Sequence, residues 1–126
     1  MGNKVIHTEN APKAIGPYSQ AVVSGGFVFV SGQLPVDPKT NEMREPDFTA
    51  QTKQSMENIL SILKENNLTA DNIVKTTIFV SDLGGFAQVN EAYAAFFDKT
   101  YPSRACVQVS RLPKDALVEI EAIASL

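Results

Sequence analysis

The segment Phe27-Val28-Phe29-Val30 places large apolar side chains at consecutive positions, and residues 73–81 (IVKTTIFVS) are nearly as rich in apolar and β-branched residues. Successive strand residues point to opposite faces, so Phe27 and Phe29 oppose Val28 and Val30, and Ile73 and Phe79 oppose Val74, Ile78 and Val80. Such a sheet is apolar on both sides, and the chain must cover both.

Only two amphipathic helical stretches are available to do so. In residues 49–66, Met56, Ile59, Leu60 and Leu63 recur with helical spacing, and Asp47 or Thr49 is placed to cap the start. In residues 86–100, Phe86, Val89, Tyr93, Phe96 and Phe97 fall on one side before Pro102 stops the helix. Residues 21–24 and 27–31 flank Gly25-Gly26, the spacing of a tight hairpin, whereas residues 36–46 read as a loop. Strands at 73–81, 103–110 and 117–124 complete the order β-β-α-β-α-β-β, with an extra N-terminal strand near Val5 and a hairpin-like connection through residues 111–116. Two helices cover one face of a five- or six-stranded sheet, giving a two-layer α+β sandwich in a single domain, residues 1–126. The other apolar face calls for a second copy of the chain, so a homo-oligomer is expected.

Composition narrows the chemistry. A net charge of −3 is the wrong sign for a phosphate-backbone binder, and no apolar run is long enough to span a membrane. There is no signal-peptide core, so the cytoplasm is the expected compartment. The single cysteine, Cys106, allows neither an internal disulfide nor a multi-cysteine metal cluster, and neither a Walker A nor a G-x-G-x-x-G pattern occurs. No metal, no organic cofactor and no nucleic-acid partner are expected.

Alternation in the strand from Ser103 sends Ala105, Val107 and Val109 toward the helices and Arg104, Cys106, Gln108 and Ser110 to the other face. In the last strand Glu119 and Glu121 share a face opposite Val118, Ile120 and Ala122. If these two strands pair, a guanidinium, a thiol and two carboxylates converge. Arg104 then serves either as a fork for a ligand carboxylate or as the partner of a glutamate. A glutamate beside a bound acid is suited to act as general base on water; the alternative is solvated strand decoration. Cys106 reads more readily as a small buried hydrophobe than as a nucleophile, and His7 as an exposed side chain. Tyr18, after Gly16-Pro17, either faces a pocket or is partly buried, and Ser31-Gly32 offers a hydroxyl and an accessible N–H or is simply turn chemistry.

Taken together, Ala14-Ile15-Gly16-Pro17-Tyr18-Ser19-Gln20-Ala21, Val30-Ser31-Gly32-Gln33, Pro102-Ser103-Arg104-Ala105-Cys106-Val107 and Arg111-Leu112-Pro113 through Glu119-Ile120-Glu121-Ala122 resemble the reactive intermediate deaminase (Rid) family, specifically its RidA branch. The resemblance spans nearly the whole chain. It implies a chorismate-mutase-like α+β fold, a homotrimer with clefts between subunits, and cofactor-free hydrolysis of 2-imino or 2-enamino acids, such as 2-iminobutanoate and 2-iminopropanoate, to 2-oxo acids and ammonia. By the same resemblance Arg104 grips the substrate carboxylate and Glu119 activates water. Tyr18 and Ser31 line the cleft, Gly32 and Cys106 supply backbone contacts, and Asn90 assists. Alternation does not choose between Glu119 and Glu121; the family motif favours Glu119. A small-acid regulator that binds 2-oxo acids is the alternative function. A ribonuclease or translation inhibitor is disfavoured by the negative charge and the single histidine.

Overall fold

The computed structural model describes residues 3–126. Gly25 and Gly26 both take positive φ, 59° and 84°, which is the geometry a primed two-residue turn requires. They join strand β2 (Ala21–Ser24) to β3 (Phe27–Gln33), and β1 (Lys4–Ile6) adds to the outer edge of β2. Residues 36–46 are more ordered than a loop: β4 (Val36–Asp37) and β5 (Glu42–Met43) pair as a small separate hairpin, with Asn41 at φ 61° turning the chain.

Helix α1 (Phe48–Lys64) is capped by Asp47, whose carboxylate accepts the Ala50 N–H at 2.8 Å. Its Met56, Ile59, Ile62 and Leu63 are fully buried, each burial favouring the fold by about 1.5–3 kcal/mol. The chain continues through β6 (Ile73–Val80), helix α2 (Phe86–Ala94), β7 (Ser103–Gln108) and β8 (Val118–Ser125). The second helix is shorter than its periodicity suggests. After Ala94 the chain tightens through Phe96 N–H to Tyr93 O and Phe97 N–H to Ala94 O bonds, and Phe97 folds back onto Tyr93, with ring centroids 5.0 Å apart. Phe86, expected on the apolar side, is 38% exposed.

The six-stranded sheet has the order β1-β2-β3-β8-β6-β7, in which β6–β7 is the one parallel pair. Both helices lie on one face, where Val28, Val30, Ile78, Val80, Val118, Ile120, Ala122 and Ala124 meet α1 and α2 residues in a single core. The architecture is the expected two-layer α+β sandwich on a mixed sheet. Two register details differ from strict alternation. A bulge at Val74 lets Ile73 join the buried face with Ile78 and Val80, and a second bulge places both Ser31 and Gly32 of β3 between its pairings with Ala122 and Ile120 of β8. The connection through residues 111–116 is not a hairpin, because β6 lies between β7 and β8. Among the described residues no helix is long and apolar enough to cross a membrane.

Candidate active site

A cleft of about 960 Å³ opens beside the β3 bulge, lined among others by Tyr18, Ser31, Gly32, Pro113, Lys114 and Glu119. Its near wall is the segment before β2, fastened by the buried side chain of Gln20. That amide accepts the Thr8 N–H at 2.7 Å and donates to the carbonyls of Thr8 and Pro12 at 3.1 and 2.8 Å. Ser31 donates its hydroxyl to Ser19 O at 2.6 Å, which ties the same wall to the bulge and leaves the Tyr18 ring half-exposed at the cleft.

At Gly32 the absence of a side chain leaves room for Glu119. A Cβ on it would lie 2.7 Å from Glu119 Oε2, so the carboxyl group of Glu119 rests directly against the bulged backbone. Half-buried in this position, Glu119 is pushed above the ordinary carboxylate range, first by burial and second by the charge of Glu121. Glu121 shares the cleft but is exposed. The two acids therefore differ in surroundings: Glu119 is half-buried against the bulge with its affinity for a proton raised, whereas Glu121 is exposed. Because Gly32 has ordinary φ, Gly32→Ala should fold; its methyl displaces the flexible Glu119 carboxyl. We expect turnover to fall about tenfold or more, read by steady-state kinetics beside a near-unchanged thermal unfolding curve.

Arg104 lies elsewhere. In β7 it pairs with Thr76 of β6, and Cys106 pairs with Ile78, so both side chains face the helix layer; Ala105 and Val107 face outward. This reverses the expected facing of β7, and the convergence of Arg104 with the glutamates does not occur within one chain. The reason is that both faces are apolar, so the rule that apolar residues meet the helices does not discriminate. Arg104 Nη1 donates to Asn90 Oδ1 at 2.6 Å, and its guanidinium sits 5.5 and 5.4 Å from the Phe86 and Tyr93 ring centroids. Tyr93 is itself held by a 2.7 Å hydrogen bond with Thr76. The glutamate ion pair weighed for Arg104 is not formed: among the described residues the ion pairs are His7–Glu9, Arg44–Glu45 and Arg111–Asp115. Arg104 is thus an oriented, exposed guanidinium with no carboxylate on it.

Burial pushes the Cys106 thiol up, outweighing the nearby Arg104 charge, so it stays protonated at neutral pH and is a poor nucleophile. His7 is exposed, as expected, 3.5 Å from Glu9. Among the described residues no group of three or more His, Cys, Asp or Glu is arranged to hold a metal ion.

Sequence reasoning missed Pro113 and Lys114, which also line the cleft. Lys114 and Asp115 have φ of 58° and 57°, uncommon for non-glycine residues, in a turn braced by Arg111 Nε to Asp115 Oδ1 at 2.7 Å. The Arg-x-x-x-Asp spacing was the available signal.

A family model described as Endoribonuclease L-PSP matches residues 8–126. A member of the conserved Rid protein family from Yersinia pestis superposes with a TM-score of 0.96 at 48% identity, covering 99% of this chain and 100% of that one. The chain belongs to the Rid family. Among other Rid proteins, a Salmonella typhimurium relative named 2-iminobutanoate/2-iminopropanoate deaminase is 55% identical over 97% of both chains. Escherichia coli TdcF, solved with bound serine, is 50% identical over 98% of both chains, with a TM-score of 0.93.

Proposed function

We propose that this Rid protein is a 2-iminobutanoate/2-iminopropanoate deaminase. It acts as one domain in a homotrimer, with Arg104 of one subunit completing the cleft that holds Glu119 of its neighbour. The observation that carries this reading is the separation of an unpaired, oriented guanidinium from a half-buried carboxyl group on opposite faces of one sheet. In one chain β6 lies between their strands and they are offset by three residues, roughly 14 Å by strand geometry. A substrate of a few carbons cannot touch both. The open face supports self-association, since Phe27, Phe29 and Val107 are 43%, 45% and 43% exposed there. The names of the Salmonella relative and of serine-bound TdcF support a small α-substituted acid as ligand.

The chemistry follows from the groups present. Arg104, aimed by Asn90 and the two rings, takes the substrate carboxylate as a bidentate pair. Glu119, ionised, removes a proton from water as its oxygen attacks the imine carbon, giving a carbinolamine. Glu119 returns that proton to nitrogen; as the C–N bond breaks and ammonia leaves, the carbinolamine hydroxyl gives its own proton to Glu119 and becomes the carbonyl of the 2-oxo acid. An enamine first gains a proton at C3. Every atom comes from substrate and water, so no metal or organic cofactor enters the scheme.

The test is the rate of 2-oxo acid formation from 2-aminoacrylate or 2-aminocrotonate generated in situ. Acceleration by the protein supports the proposal; oxo-acid binding without acceleration favours the regulator. The family model's description favours a second reading, an endoribonuclease. RNA cleavage that persists in Arg104→Ala would support it; His7 is the one histidine of the chain and is exposed, which argues against an imidazole-pair mechanism.

A further inference from the structure

Helix α1 carries polar side chains where an apolar stripe would be expected. Gln51, Gln54 and Asn58 are 2%, 5% and 1% exposed, and their spacing puts them on one side of the helix. Each is hydrogen-bonded. Asn58 Nδ2 donates to the carbonyls of Leu34 and Val36 at 3.1 and 3.0 Å, and Gln54 Nε2 donates to Asn58 Oδ1 at 2.9 Å. Gln51 Nε2 donates to the carbonyls of Arg44 and Glu45 at 3.1 and 3.2 Å, while its Oε1 accepts the Leu117 N–H at 2.8 Å. Only one amide orientation satisfies all three Gln51 bonds.

Buried amides carry a desolvation cost, and shape-matched apolar residues often serve stability as well. These side chains reach the segment containing Leu34 and Val36, which lines the cleft, and the residue just before β8. Leu117 is held at both ends, its N–H by Gln51 and its carbonyl by Ser81 N–H at 3.0 Å. Two residues further on, Glu119 leaves the same side of the strand and meets Gly32.

We infer that Gln51 is a positioning residue for Glu119, fixing the start of β8 so that the Glu119 carboxyl group rests against the Gly32 backbone. This rests on the deaminase reading. Losing the Leu117 bond lets β8 slide at its first residue, and Glu119 moves off the bulge toward water. The substrate carboxylate, held by Arg104 from another subunit, is unaffected. The signature is therefore a fall in kcat with little change in KM. The acid limb of the kcat profile moves down in pH, because a better-solvated Glu119 ionises more easily.

The experiment compares purified full-length wild type, Gln51→Met and Thr52→Val in the imine-hydrolysis assay across pH. Gln51→Met, close in shape but without the amide, should lose about ten- to a hundredfold in kcat with the acid limb displaced downward. Thr52 is fully buried on the same helix, and its hydroxyl has no hydrogen-bond partner among the described residues. Its valine variant should match wild type in both respects. If Gln51→Met does not fold, Gln51→Asn, one methylene too short to span the three bonds, carries the same expectation. A folded Gln51→Met or Gln51→Asn with wild-type kcat and acid limb overturns the inference. An inactive wild type overturns the deaminase reading instead.

Discussion

Arg104→Lys is expected to lower kcat/KM for imine hydrolysis by roughly a hundredfold, about 2.7 kcal/mol of transition-state stabilisation, while folding stability should stay within about 0.5 kcal/mol of wild type. The two readouts separate because of where the side chain sits. It is exposed, at the sheet edge, and makes one side-chain hydrogen bond, to Asn90. Lysine keeps the positive charge and much of the contact with Phe86 and Tyr93, so the fold loses little. It loses the planar fork that holds a carboxylate by two parallel bonds, and with it the orientation of the imine carbon toward water. Steady-state kinetics with thermal unfolding on the same preparation checks the pair of expectations. Loss of activity in proportion to loss of fold would reduce Arg104 to a structural residue.

Glu119→Gln should have the second large effect: kcat is expected to fall about a hundredfold to ten-thousandfold, and the acid limb to disappear from what activity remains. Below its raised pKa the native Glu119 is protonated and cannot accept a proton from water, so wild-type activity declines as pH falls through a value above the ordinary carboxylate range. The stability consequence has the opposite sense. A carboxyl whose folded pKa exceeds its unfolded pKa binds protons more tightly when folded, so its contribution is fully present below the unfolded pKa and is lost as pH rises through the folded one. At neutral pH the ionised, half-buried Glu119 weakens the fold. Glu119→Gln should therefore unfold at a higher temperature than wild type at pH 7 and lose that advantage in acid. A pH series of melting curves tests this independently of catalysis. An advantage that grows in acid would contradict the environment assigned to Glu119.

The elements most legible in the sequence were those with a local physical cause. Gly25-Gly26 specifies its hairpin because both residues must adopt positive φ, and the Met56, Ile59 and Leu63 periodicity specifies α1 because one helix face must be buried. Sidedness at β7 was not legible. Alternation shows that Arg104 and Cys106 share a face, but which face depends on what lies across from it. Here the helix layer offers Arg104 two aromatic rings and an amide, while the apolar Val107 remains on the uncovered side. Strand order was equally hidden, since nothing near residues 111–116 records that β8 inserts between β3 and β6. The site residues named from sequence nonetheless divide cleanly between two places. Tyr18, Ser31, Gly32 and Glu119 line the cleft, while Asn90, Arg104 and Cys106 gather at the β7–α2 edge. Gln51 left no trace in the pattern, because a buried glutamine on a helix resembles a surface one until its partner Leu117, 66 residues away, is known.

The central claim is that these two half-sites meet only between copies of the chain, and subunit mixing tests it most directly. Arg104→Ala and Glu119→Gln, each nearly inactive alone, are co-refolded in equal amounts and assayed. Random assembly places one intact Arg104 and one intact Glu119 at about a quarter of the interfaces, so activity should return to roughly that fraction of wild type. Mixed assemblies that form, as checked by mass, yet stay as inactive as either parent would contradict a site shared between subunits.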